Sequence, residues 1–254
     1  LLVKLVSLQI FEGGKYRILA DENRILRIRV PAKRGTIYDR NGQILAQNVK
    51  KSVFQPDTKL TIDNWQREYK SGSAASHVLG YVGEVSPDEV GLIGESGGKY
   101  EAGSWIGRSG IEQEYEEELK GKDGGRLVEV DNGGQVVREL GSQATVGGQD
   151  LTLTIDGQLQ QTAFENLENK RGAVIISNPN TGEILALVSS PSFDPNTINA
   201  QYSKLNAQSD LPFLNRAIGG VFVPGSVFKI ATTVAALAEK KIDPGFTYND
   251  TGSI

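Results

Sequence analysis

"VFVPGSVFKIATTVAALAEKK", Val221–Lys241, is the stretch whose reading decides the fold. Pro224 and Gly225 sit badly inside a helix, so a helix here starts at or just after Ser226. Nothing breaks it before Lys241, and Phe228, Ala231, Ala235 and Ala238 recur at spacings of three and four. Such an apolar run predicts a buried helix. Ser226 and Lys229 then share one face, one turn apart. Backbone N–H groups at a helix start are unpaired and partly positive, which suits a developing oxyanion. A lysine desolvated between apolar runs favours its neutral amine, and that amine can take the proton of a hydroxyl nucleophile. Spacing alone leaves two readings open: Ser226 as a nucleophile with Lys229 as its base, or Ser226 as an ordinary helix cap. A second Ser-x-x-Lys, Ser96 to Lys99, encloses two glycines within the Gly-rich stretch 94–107 and reads as loop.

Composition narrows the chemistry around this pair. The 254 residues suffice for one large domain or two ordinary ones. A net charge of −4, with no Lys/Arg-rich run, argues against nucleic acid as a partner. Cysteine is absent and His77 is the single histidine, which excludes disulfides and Cys/His zinc sites and argues against a Ser-His-Asp triad. There is no P-loop, dinucleotide fingerprint or internal repeat, and no cofactor is expected. The chain contains no methionine, not even at its start, and is read as a fragment or as a sequence with unrecorded residues. Its apolar opening, "LLVKLVSLQI", is too short to cross a bilayer, which takes roughly 20 residues. It fits the tail of a membrane helix or a core strand.

Upstream, "ILRIRV" (Ile25–Val30) alternates apolar and charged residues and predicts a half-exposed strand. Asn41-Gly42 between apolar stretches predicts a hairpin. "GIEQEYEEELKGKDG" predicts a short amphipathic helix with Ile111, Tyr115 and Leu119 on one face and a Glu116–Lys120 pair. Its acidic cluster reads as a solvated face rather than a metal site. The stretch 133–150, rich in Gly, Gln and Ser, marks a domain boundary. "LTLTI" then predicts a strand, Asp156 a helix cap for Leu159, Ala163 and Leu167, and "RGAVIISNPNTGEILALVSS" a hairpin of two buried strands. A loop with four prolines, from Pro191 to Pro224, leads back to Ser226.

Several of these segments, in order, resemble the class B penicillin-binding proteins, the monofunctional D,D-transpeptidases of bacterial wall synthesis. "LQIFEGGKYRILADENRILRIRVPAKRGTIYDRNGQILAQN" is similar to the segment outside the family's single membrane anchor, with Arg34-Gly35, Asp39-Arg40 and Gly42 as its signature. "HVLGYVGEVS" and "IGRSGIEQEYEEELKGKDG" resemble the elongation-type branch, penicillin-binding protein 2. "LTLTIDGQLQ", "GAVIISNPNTGEILALVSSPSFDPN" and "NRAIGGVFVPGSVFK" resemble the opening of the transpeptidase domain. The resemblance implies an α+β, multidomain fold. Residues 1–147 would form a β-rich, membrane-proximal pedestal of dimerisation-domain type. Residues 148–254 would form the first part of a penicilloyl-serine-transferase domain, with an antiparallel sheet flanked by helices.

The implied chemistry makes Ser226 the acyl-ester nucleophile toward the D-Ala-D-Ala end of a stem peptide and Lys229 the general base or proton shuttle. β-Lactams would acylate the same serine. Implied partners are peptidoglycan stem peptides, a SEDS-family glycan polymerase and elongation scaffold proteins. The implied location is the cytoplasmic membrane, through an anchor upstream of Leu1, with the domains on the outer side. His77 would serve packing or hydrogen bonding, and Asp39 and Arg40 would pair to hold the pedestal. The family's Ser-x-Asn motif is absent, and its Lys-Thr/Ser-Gly motif has only the upstream match Lys70-Ser71-Gly72, a coincidence of letters. The pedestal between "LAQN" and "HVLGYVG" is shorter than the family pattern, so residues 64–75 read as a junction. The alternative to an enzyme is a truncated, non-catalytic module that binds elongation-machinery partners through the pedestal. A β-lactamase or β-lactam sensor leaves "RGTIYDRNG" unexplained.

Overall fold

The computed structural model describes residues 24–55, 60–90, 100, 103–131, 133–167 and 170–252. The opening "LLVKLVSLQI" and the Ser96–Lys99 pair lie outside them. The chain forms two compact units, Leu1–Ile218 and Gly219–Ile254. Among the described residues no helix is long and apolar enough to cross a membrane.

The first unit is a mixed α+β assembly. β1 (Ile25–Val30) is followed by β2 (Ile37–Tyr38), β3 (Ile44–Gln55) and β4 (Leu60–Tyr69). A short α1 (Ser76–Leu79) leads to β5 (Val82–Glu84), and β6 (Trp105–Gly107) precedes α2 (Gly110–Glu114) and α3 (Glu116–Leu119). Then come β7 (Gly124–Val130), β8 (Val136–Gln143), β9 (Leu151–Thr152), α4 (Gly157–Asn166), β10 (Gly172–Ser177), β11 (Ile184–Ser190) and α5 (Ile198–Asn206). The sheet orders are β1-β7-β8, β4-β3-β2-β9, β5-β6 and β10-β11. All neighbouring strands are antiparallel except β2 and β9.

The main core gathers Ile37, Leu45, Ala46, Tyr69, Ala75, Leu79 and Leu119, with Leu151 and Leu153 packed against it. Short-range signals account for several elements around it. Ile25–Val30 is the strand its alternation predicts, and only one of its faces is buried, through Ile28. Gly42 at φ +79° makes the turn between β2 and β3. Asp156 caps α4 by accepting hydrogen bonds from the N–H groups of Gln158 (3.1 Å) and Leu159 (3.0 Å).

Long-range partners overturn several local expectations. The acidic stretch 112–118 is only in part a solvated face: Glu114, Glu117 and Glu118 are exposed, but Glu112 and Glu116 are buried. The backbone breaks at Tyr115 (φ −107°, ψ 33°), which turns that ring outward and swings Glu112 and Glu116 into the interior. There Glu112, with no solvent exposure, accepts from Arg34 Nε at 2.5 Å and Arg67 Nε at 2.7 Å. Arg34 also pairs with Glu116 at 2.6 Å, and Glu116 accepts from the Tyr100 hydroxyl and the Gly107 N–H. Two arginines and two glutamates therefore balance in a buried square. Desolvation works against the Arg34 charge, but Glu112 and Glu116 outweigh it and raise its pKa. Lys120 pairs with Glu117 at 2.8 Å rather than with Glu116.

Gly35 belongs to the same corner. Its N–H donates to the Leu119 carbonyl, and a Cβ there would lie 1.8 Å from the Gln149 carbonyl oxygen. Only glycine lets these backbones approach so closely.

Asp39 and Arg40 do not pair with each other. Asp39 is fully buried and accepts from the N–H groups of Asn41, Gln43 and Gly157, while Arg40 faces Glu183 at 3.7 Å. Asp39 thus ties the β2–β3 turn to the start of α4. The boundary-like stretch 133–150 holds β8, and the proline-bearing loop holds α5, whose polar sequence buries only Ile198. Of "LTLTI" only Leu151–Thr152 forms a strand. In the β10–β11 hairpin β11 is the buried strand, whereas β10 keeps Ile175 on the surface. Residues 64–75 run through the end of β4 into a 3-10 turn, with Arg67, Tyr69, Ala74 and Ala75 buried. Lys70, the start of the coincidental Lys-Ser-Gly, pairs with Glu68.

His77 fills the packing role expected of it. Its Nε2 is 2.9 Å from the Pro212 carbonyl, and its ring meets Phe193 edge-on at 5.3 Å. Burial is the main cause that lowers its pKa from 6.5 to about 4; nearby Arg216 lowers it further and the Pro212 carbonyl opposes. Its folded pKa lies below the unfolded one, so the unfolded chain takes up the proton first as pH falls. The contribution is complete above about pH 6.5 and disappears as pH drops toward about 4. Urea unfolding should show about 2–3 kcal/mol of this loss at roughly pH 4.5, and His77→Gln should remove that part of the pH dependence. An unchanged pH profile in His77→Gln would contradict the assignment.

Candidate active site

Ser226 lies in the second unit, in the middle of a 3-10 turn over Gly225–Val227. Gly225 takes φ +54°, where a side chain is strained, and open space surrounds its Cα. The glycine is needed for conformation rather than for room. The turn runs directly into α6 (Phe228–Ala238), so Ser226 and Lys229 bracket the change from 3-10 to α-helix. Three residues apart across this junction, the two positions lie about one helical turn from each other.

The cap reading of Ser226 does not survive. The flanking cap positions are Pro224 and Val227, and neither helical start is closed by a side-chain hydrogen bond. The helix is closed at its other end instead. Lys240 at φ +54° donates its N–H to Leu237 O at 3.0 Å, and Lys241 donates to Ala236 O at 2.9 Å, a Schellman closure. The Ser226 hydroxyl is therefore not spent on the backbone of its own helix.

One expectation about this segment is overturned. The helix forms, but it is not buried: Phe228 is 57%, Ile230 72% and Val234 60% exposed. Lys229 is exposed as well. Within its unit α6 packs against its own 3-10 turn, and 36 residues supply no second layer to cover an apolar face. The desolvation that would make Lys229 a base is thus not supplied by this unit. Among the described residues no hydrogen bond joins the Ser226 hydroxyl to the Lys229 amine. The arrangement provides a free hydroxyl and an amine, one turn apart, at the start of an apolar helix.

Two family models match the chain. One is the penicillin-binding protein dimerisation domain, over residues 60–153; the other is the penicillin-binding protein transpeptidase domain, over residues 172–254. The second contains both Ser226 and Lys229. Peptidoglycan D,D-transpeptidase MrdA of Acinetobacter baumannii is 32% identical, in a match covering 96% of this chain and 46% of that protein. The chain belongs to the class B penicillin-binding proteins, and it is most like penicillin-binding protein 2.

MrdA of Escherichia coli K12 is 31% identical, over 99% of this chain and 51% of that protein. A crystal structure of Pseudomonas aeruginosa PBP2 in complex with WCK 5153 superposes with a TM-score of 0.66 at 31% identity, covering 90% of this chain and 46% of that one. The PBP2 of Helicobacter pylori, solved with MreC, shares the fold, with a TM-score of 0.69 at 24% identity over 88% of this chain and 54% of that one. The chain thus spans about half the length of the curated relatives it matches. The Acinetobacter match runs over 313 positions, more than the 254 residues here, so that penicillin-binding protein has residues within the match that this one lacks.

Sequence reading passed over two features of this penicillin-binding protein. The buried square was hidden because Arg34, Arg67 and Glu112 come from three separate parts of the chain. The other is a cavity between β3, β4 and β6, lined by Trp65 and Trp105, for which no motif exists.

Proposed function

We propose that this chain carries the acyl-accepting serine of a peptidoglycan D,D-transpeptidase of cell-wall elongation. The observation that supports it best is the uncapped Ser226 hydroxyl, one turn from Lys229, inside the segment that the transpeptidase model matches. In this reading the Ser226 oxygen attacks the carbonyl carbon of the penultimate D-alanine, and Lys229 accepts the hydroxyl proton. The peptide bond breaks, the terminal D-alanine leaves with that proton on its amine, and an ester to Ser226 remains. An amine of a neighbouring stem peptide then attacks the ester, forming the cross-link and returning the proton to the serine. β-Lactams would acylate Ser226 by the same attack on their ring carbonyl.

The same proposal assigns residues 1–147 to the pedestal and 148–254 to the catalytic part, a division supported by the family models at 60–153 and 172–254. Its partners would be stem peptides, a SEDS-family polymerase and an elongation scaffold; the H. pylori relative solved with MreC supports the last by analogy. Its place would be the outer side of the cytoplasmic membrane, held by an anchor before Leu1. The non-catalytic alternative is not favoured, because the relatives are named as transpeptidases.

To test the reading, the full-length protein carrying this chain is incubated with a synthetic stem pentapeptide ending in D-Ala-D-Ala. Free D-alanine should appear with the wild type and not with Ser226→Ala. No release, or release that Ser226→Ala leaves intact, would refute it.

A further inference from the structure

Both tryptophans of the chain, Trp65 and Trp105, line one cavity of about 350 Å³ in the first unit. All of its lining residues belong to the unit Leu1–Ile218, and three of them, Pro195, Asn196 and Asn199, fall within the stretch that the transpeptidase model matches. Trp65 sits on β4, where its Nε1 donates to the Pro31 carbonyl at 3.3 Å, and Trp105 opens β6 and is 43% exposed. A volume of this size is in the range of small-ligand sites.

The charges around the cavity are selective. Arg29 is neutralised by Asp123 at 2.5 Å, Lys120 by Glu117, and Arg34 and Arg67 by the glutamates of the buried square. Lys51 is the one lining cation without an acidic partner among the described residues. Arg67 also holds something in reserve. Its Nε and Nη1 bond to Glu112 and the Gly35 carbonyl, but its Nη2 has no hydrogen-bond partner although the side chain is only 3% exposed. A buried charged donor left unpaired is destabilising, and nearly all such groups in folded proteins find a partner.

Two indoles, one unbalanced ammonium and one unspent guanidinium N–H make a specific combination. Indole faces suit the C–H face of a sugar ring or another flat apolar group. One free cation matches one carboxylate, whereas a pyrophosphate or other polyanion would need charges that are already neutralised here. We propose that this cavity binds a carboxylate-bearing muropeptide segment of peptidoglycan, with its sugar against Trp65 and Trp105 and a stem carboxylate at Lys51. It would be a non-catalytic site that holds a strand on the first unit. The choice of glycan rests on the transpeptidase reading; the site itself rests on the cavity.

The test titrates the full-length protein with a soluble disaccharide-tetrapeptide and follows tryptophan fluorescence, with Trp105→Phe assigning the signal to the cavity. A saturable change is expected that Trp105→Phe diminishes. Lys51→Glu, at an exposed strand position, should weaken binding by about tenfold or more. The same muropeptide with its stem carboxylates amidated should weaken it comparably for the wild type, which decides the matter even if Lys51→Glu misfolds. No saturable change, or equal affinity for the amidated ligand, would overturn the site. Labelling by fluorescent penicillin is measured on the same protein. Labelling without muropeptide binding defeats the cavity proposal alone, and muropeptide binding without labelling defeats the transpeptidase reading alone.

Discussion

Glu112→Ala should destabilise the first unit by about 3–5 kcal/mol, a loss large enough to unfold a marginal domain. Glu112 is the shared anion of the buried square, bonded to both Arg34 and Arg67. Removing it leaves two guanidinium groups in the interior with only Glu116 to balance them, and that residue is already committed to Tyr100 and the Gly107 N–H. The cost comes from the charges left behind rather than from the contacts deleted. Glu117→Ala is the control. Its carboxylate is 58% exposed and, among the described residues, pairs with Lys120 alone, so its removal should change stability by less than about 0.5 kcal/mol. Urea unfolding of both variants checks the contrast; equal small losses would show that the square does not hold the pedestal corner together.

Lys229 carries the second large effect. In the proposed reaction the serine proton must leave as the Ser226 oxygen attacks, and Lys229, three residues on, is the amine placed to receive it. Lys229→Ala in the full-length protein should therefore slow acylation by penicillin about 10²- to 10⁴-fold, the usual worth of a positioned base. Lys229→Arg should not restore the rate, because a guanidinium stays protonated and cannot accept a proton. Stopped-flow acylation rates separate the two roles. A fast Lys229→Arg variant would mean that only the positive charge matters and would move the base elsewhere.

What could be read from residues in order was mostly local. The Ile25–Val30 strand, the Asn41-Gly42 turn, the Asp156 cap and the β10–β11 hairpin depend on neighbours within a few positions, and all four appear. The errors arose where a distant partner decides the outcome. Glu112 and Glu116 look like surface acids until Arg34 and Arg67 are brought beside them by the β2–β3–β4 sheet. Asp39 and Arg40 look like a pair because they are adjacent, yet Asp39 is claimed by backbone N–H groups, one of them at Gly157. The helix after Ser226 was legible from its spacing, but its burial was not. Burial depends on a covering layer, and periodicity shows which face wants one without supplying it. The cavity at Trp65 and Trp105 left no trace in the sequence, since its walls come from strands and loops widely separated in the chain.

The central claim is that Ser226 forms the acyl ester. The most direct measurement is mass spectrometry of the full-length protein after incubation with benzylpenicillin, followed by digestion and mapping of the adduct. A penicilloyl group on Ser226, lost in Ser226→Ala, is the predicted result. An adduct on any other residue, or one that persists in Ser226→Ala, would contradict it.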